Sequence, residues 1–117
     1  MKVKITIGHK VLTATMIHTN TTRAFMELLP LTIEMTELHN NEKYGQLPNK
    51  LPGQAIRQDT IHAGDLMLWN ADYKSLVLFY KTVTSSYSYV KLGTIDNLDE
   101  LEAALGTENV KVKFEAL

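Results

Sequence analysis

Gly64-Asp65-Leu66-Met67-Leu68-Trp69-Asn70, then Ala71-Asp72-Tyr73-Lys74, then Ser75-Leu76-Val77-Leu78-Phe79-Tyr80 is the stretch that decides the fold. Leu66–Asn70 reads as a strand opened by Gly64-Asp65, and the Ala-Asp-Tyr-Lys tetrad has turn character. Leu76–Tyr80 is nearly continuously apolar, the pattern of a strand covered on both faces. A central hairpin with a doubly buried second strand follows.

Working outward, Val90–Ile95 returns to strand character after the uncharged, Ser/Thr/Tyr-rich segment Thr82–Tyr89. Asp96-Asn97 introduces a helix over 98–105, with Leu98, Leu101, Ala104 and Leu105 on one face. Asn97 with Glu100 forms a capping-box pattern, and Gly106 supplies the C-terminal cap. Val110, Val112 and Phe114 alternate with Lys111, Lys113 and Glu115, a half-buried closing strand.

Upstream, Val3, Ile5 and Ile7 alternate with Lys4 and Thr6, and Gly8-His9-Lys10 turns the chain into Val11–Ile17. That hairpin matches the last strand in pattern and is available to pair with it. Asn20-Thr21-Thr22 offers helix caps, and Ala24, Phe25, Leu28 and Leu29 recur at helical spacing, predicting a helix over 21–29 ended by Pro30. Leu31, Ile33 and Met35 then alternate with polar residues in a strand over 31–37. From His39 to Ala63 no period is sustained and Gly45, Pro48, Pro52 and Gly53 punctuate the chain, so this segment is expected to be a long loop rimming a site.

About seven short strands, alternating at both termini, with only two short helices favour a mostly β fold. The expected architecture is a closed antiparallel barrel, because closure removes exposed strand edges, with the helices covering its ends. The 117 residues predict a single domain over 1–117. With 12 Lys+Arg against 13 Asp+Glu, the formal charge of −1 gives no phosphate-seeking surface, so no nucleic-acid partner is expected. An apolar content of 44% is enough for a core. No cysteine is present, which excludes disulfides, thiolate metal sites and a Cys nucleophile. With no secretory segment and no membrane-length apolar run, a cytoplasmic protein without a membrane partner is expected.

Chemistry-bearing motifs are sparse. His9, His18, His39 and His62 lack metal-ligand spacing, and Ser75, Ser85, Ser86 and Ser88 lie in no nucleophile elbow. No glycine-rich turn opens either helix to cradle a phosphate, so no metal, no cofactor and no catalytic residue is assigned. The carboxylates Asp99, Glu100 and Glu102, and Glu34 with Glu37, read as solvated. Trp69, Phe79, Tyr80, Tyr87 and Tyr89 fall on or beside the central hairpin and the strand after it. Amphipathic rings beside a polar loop suit an apolar pocket with a few donors, here Asn70 and the tyrosine hydroxyls.

The order of elements resembles the cyclophilin-like barrel. Gly64–Ala71 resembles the Gly-x-Leu-x-Met-Ala-Asn-Ala stretch of cyclophilins, Ser75–Tyr80 their Ser-Gln-Phe-Phe-Ile strand, and Leu92-Gly93-Thr94-Ile95 their Phe-Gly-Lys-Val. The whole chain is similar to small stand-alone prokaryotic cyclophilin-like proteins of undefined activity, which share a Leu-Leu-Pro-Leu helix end like Leu28–Leu31 and a Leu-Phe-Tyr strand like Leu78–Tyr80.

This resemblance implies prolyl cis–trans isomerisation, whose barrier of roughly 18–20 kcal/mol is lowered by an apolar pocket and a cationic donor. The chain departs from that pattern where the chemistry lies. The strand matching Phe-His-Arg-Ile reads Thr32-Ile33-Glu34-Met35-Thr36, and Arg23 and Arg57 are the only arginines. Trp69 stands at the small alanine of the peptide groove and Leu76 at the glutamine. The pocket aromatic matches Leu78 or Phe79, and Thr84 and Tyr89 stand at the pocket tryptophan and histidine. The implied pocket residues are therefore Met35, Arg57, Trp69, Asn70, Leu78, Phe79 and Tyr89. The expected function is binding of a small molecule or peptide segment in a restricted pocket without efficient isomerase activity. Weak prolyl isomerisation, with Arg57 reaching in, and homodimerisation are the alternatives.

Overall fold

A computed structural model describes residues 1–117. In chain order the elements are β1 (Lys2–Ile7), β2 (Lys10–Met16), α1 (Asn20–Met26), β3 (Leu31–Leu38), β4 (Glu42–Gln46), β5 (Ile56–Arg57), β6 (Thr60–Ile61) and β7 (Asp65–Trp69). β8 (Ser75–Phe79), β9 (Val83–Thr84), β10 (Ser88–Ile95), α2 (Leu98–Leu105) and β11 (Val110–Ala116) complete them.

Strand pairing runs β2-β1-β11-β3-β4-β8-β7-β10, and β10 returns to β2, giving the closed antiparallel barrel that the alternation predicts. The chain's two ends meet as expected: Ile5 faces Phe114 and Val3 faces Ala116 across β1 and β11. Inward residues of these strands join Phe25 of α1, which packs edge-on against Phe114 at 5.9 Å, and Leu101 and Leu105 of α2 in one core.

Three local expectations are corrected. Helix α1 is shorter than 21–29: its cap is Thr19, whose side chain accepts from the Thr22 N–H. It gives way to tighter bonds from Leu28 to Phe25 and from Leu29 to Met26, as Pro30 disfavours helical geometry before it. The Asn97 side chain makes no capping bond at α2; its oxygen accepts from the Thr13 N–H at 2.9 Å, tying the helix start to β2. Finally, the 39–63 segment is not a structureless loop, because it contains β4, β5 and β6.

β4 reads Glu-Lys-Tyr-Gly-Gln and carries little strand signal of its own. It becomes a strand by filling the gap between β3 and β8, pairing Thr36 with Tyr44 and Tyr44 with Val77. Its inward Lys43 is fully buried, where it pairs with Glu37 at 3.0 Å and donates to the Glu108 carbonyl at 2.7 Å.

Closure depends on close backbone approach at Gly93. A Cβ there would sit 2.6 Å from both the Met16 sulfur and the Thr15 carbonyl oxygen. Asp96, just beyond, accepts from Thr13 and Thr15 hydroxyls at 2.7 and 2.6 Å and from Lys2 at 2.7 Å, latching the same seam. Gly93→Ala is therefore expected to lower stability by about 1–3 kcal/mol, read as a fall in the urea or thermal midpoint. An unchanged midpoint would mean that the seam can open without cost.

Candidate functional site

Strand alternation gives the wall β4-β8-β7-β10 two apolar faces. Leu66, Leu68, Leu76, Leu78 and Val90 point into the barrel core. Met67, Val77, Phe79 and Tyr89 point outward and form a second buried cluster with Ile61, against which Tyr44, Trp69 and Val83 pack. Ile61 and Val83 come from the small sheet of β6 and β9, which lies over this outer face.

Beside that cluster the outer face holds a cavity of about 530 Å³. Its aromatic lining is Tyr44, Trp69, Phe79, Tyr87 and Tyr89; Val77 and Leu38 add aliphatic surface, and Val83–Ser85 and Tyr87 form one side. Two edge-on pairs hold the rings in place: Phe79 with Tyr89 at 5.6 Å and Trp69 with Tyr87 at 6.0 Å. The other half of the lining is polar, including Asn41, Glu42, Gln46, Asp72, Ser75 and His39.

The two carboxylates are held in opposite ways. Burial works to raise the Asp72 pKa, but bonds from the Lys74 and Ser75 N–H groups and from the Ser75 hydroxyl outweigh it and keep it below the usual carboxylate range. Glu42 has no hydrogen-bonded or ion-pair partner in the protein. It lies across from Leu38 on β3 and Phe79 on β8. Burial, and secondarily the charge of Glu37, push its pKa up to about 7. Burial likewise raises the Tyr89 hydroxyl, with the Glu42 charge adding to it.

Behind Glu42, on the inner face, Glu37 accepts from Tyr80 at 2.7 Å, from Lys43 at 3.0 Å and from the Asn40 N–H at 2.7 Å. Lys43 also stands over the Tyr80 ring, 5.6 Å from its centre. Its charge is thus engaged on the core side, so it neutralises Glu37 and leaves Glu42 alone.

Of the sequence-predicted residues, Trp69, Phe79 and Tyr89 line the cavity together. The expectation for Met35 and Leu78 is corrected: both are fully buried in the barrel core, because alternation turns their side chains inward. Of Leu78 and Phe79, it is Phe79 that faces the cavity. Asn70 is exposed outside the cavity, where its N–H donates to the Ser88 carbonyl at 3.2 Å. Arg57 sits exposed on β5 and pairs with Asp59 at 3.4 Å, also outside the lining. Tyr87 lines the cavity, whereas Tyr80 is turned inward to Glu37. Asn41, Glu42, Tyr44 and Asp72 were missed. Only the alternation Glu42, Tyr44, Gln46 around Lys43 and Gly45 could have signalled β4.

A sequence model described as the Cyclophilin-like family matches residues 5–115, so the chain belongs to that family. The solution structure of the hypothetical protein AF2241 from Archaeoglobus fulgidus superimposes with a TM-score of 0.72 at 17% identity, covering 100% of this chain and 95% of that one. McbB, solved in complex with tryptophan, superimposes with a TM-score of 0.71 at 14% identity, over 97% of this chain and 44% of McbB. Both are likenesses of fold. A search of curated proteins gives no match. No helix is long and apolar enough to cross a membrane.

The raised Glu42 pKa has a stability consequence of definite sign. The folded state binds this proton more tightly than the unfolded chain, so the stabilising contribution is complete below about pH 4.5 and disappears as pH rises through about 7. Relative to the parent, Glu42→Gln should therefore gain about 1–2 kcal/mol between pH 4 and pH 8, allowing for partial solvent screening. Denaturation of both proteins across that range checks it; a pH-independent difference would place Glu42 in an ordinary carboxylate environment.

Proposed function

We propose that this chain, as one cytoplasmic domain, binds a small molecule or a short peptide segment in the outer cavity beside Trp69 and has no efficient prolyl isomerase activity. The observation that carries the reading is the cavity itself. An outward apolar face is normally a liability in water, yet here five aromatic rings surround a space of about 530 Å³, a ligand-sized volume.

Isomerase chemistry is disfavoured by the absence of a positioned cation. The strand that the family resemblance matches to the arginine strand is β3, and it carries none. Arg57 is engaged with Asp59 at the surface. Losing such a donor costs about 2.7–4 kcal/mol of barrier lowering, or roughly a hundredfold to a thousandfold in rate.

Trp69 is the sole tryptophan, so its emission reports occupancy directly. Titration of the protein with a fragment and short-peptide panel should quench or shift that emission for at least one compound, and Phe79→Ala should weaken the same compound at least tenfold. Silence across the panel would sink the binding reading. In a separate proline-peptide assay the protein should give no acceleration. Activity present in the parent and lost in Arg57→Ala would overturn the expectation that isomerisation is absent.

A further inference from the structure

The lining of the outer cavity is unbalanced in charge and in hydrogen bonding. It contains two carboxylates, Glu42 and Asp72, and no lysine or arginine. Asp72 is satisfied by its own turn through Lys74 and Ser75. Glu42 lines the cavity, is not satisfied by any protein group, and has Leu38 and Phe79 across from it on the two neighbouring strands. A partly buried carboxylate flanked by Leu38 and Phe79 is costly to leave without a donor or a counter-charge. No lysine or arginine of the lining offsets the Glu42 carboxylate, and no protein donor meets it.

Resting on the binding reading above, we propose that the occupant is an organic cation: a protonated amine attached to an apolar or aromatic body. An ammonium brings three donors and a positive charge and has no acceptor of its own, which matches the unpaired Glu42 carboxylate. The remainder of such a molecule meets Phe79, Trp69 and Tyr89, whose ring faces attract cations as well as apolar groups. Lys43 does not compete for this role, because strand alternation directs it to the opposite face, where Glu37 and the Glu108 carbonyl hold it. A carboxylate ligand would meet Glu42 with no lysine or arginine in the lining to offset the two charges, and a neutral ligand would bring the acid no counter-charge.

Three matched compounds test this on the full chain: 3-phenylpropylamine, 3-phenylpropanol and 3-phenylpropanoate, followed by backbone amide NMR at pH 7.5, with an acetyl-lysine-amide arm to separate a free amine from a lysine side chain. The amine should move the resonances of Glu42, Phe79 and Tyr89 and bind at least tenfold more tightly than the alcohol, with the propanoate weakest. The Nα-acetyl-lysine amide, whose ammonium carries no aromatic body, should bind more weakly than the phenyl amine, and equal binding overturns the aromatic part of the assignment. In Glu42→Gln the amine-to-alcohol affinity ratio should fall below two, and the variant's own spectrum verifies its fold. Alcohol or propanoate binding as well as the amine overturns the cation assignment while the cavity remains a binding site. The same holds if none of the three binds but other fragments do. If no compound of any class moves these resonances, the binding reading fails, and the cation assignment with it.

Discussion

β10 must pair along both of its edges at once, and the rest of the molecule depends on how it does so. From Tyr89 to Thr94 it pairs with β7, setting Tyr89 against Trp69, and its second half also pairs with β2, setting Gly93 against Met16. The residues of β10 that enter the barrel core fall at Val90, Leu92 and Ile95, a spacing of two and then three. That change of phase coincides with a register shift between Lys91 and Gly93. A bulge of this kind bends a strand and re-aims its side chains. Here it lets one strand close the barrel at one end and turn an aromatic ring onto the outer wall at the other. A Cβ at position 93 would meet backbone oxygen, so the bend and the closure rest on the same missing atom.

From closure follows the two-faced wall. β8 is buried at every position, Ser75 to Phe79, because one side faces the barrel core and the other faces the outer cluster. The continuous apolar run was therefore legible as a doubly covered strand, but the run itself does not say that one of the covers is a cavity. Likewise, the pairing of the chain's ends followed from matching alternation, and α2 from its periodicity, since both signals are local. The register of Leu78 and Phe79 was not legible. A shift of one residue exchanges faces, and only the pairing of Leu78 with Leu66 and with Lys43 fixes it.

The polar part of the site was illegible for a related reason. Glu42 sits among Asn, Lys and Gly in a stretch that reads as loop. Its character comes from Leu38 and Phe79, residues brought to it across two strand pairings rather than by sequence proximity. Composition cannot report such an environment. Local pattern and tertiary placement disagree most along β4, and β4 supplies four cavity-lining neighbours with the turn before it: Asn41, Glu42, Tyr44 and Gln46. Disagreement of this kind is expected where a segment serves a site rather than the core.

The neighbouring pair Glu42 and Lys43 shows how little sequence distance means on a wall of this type. In a loop these two would neutralise each other. On a strand they face opposite ways, so the lysine enters the core end and the acid enters the cavity. Each then takes the environment of its own face: Lys43 is met by Glu37, a carbonyl and the Tyr80 ring, while Glu42 meets apolar surface and the repulsion of Glu37. The buried ion pair on the inner side thus fixes the polarity of the outer side. It holds the nearest cation out of the cavity, and it places a negative charge, Glu37, where it makes the ionisation of Glu42 harder. A carboxyl kept close to neutrality in this way can hold or release its proton according to what arrives beside it, which an ordinary surface glutamate does not do.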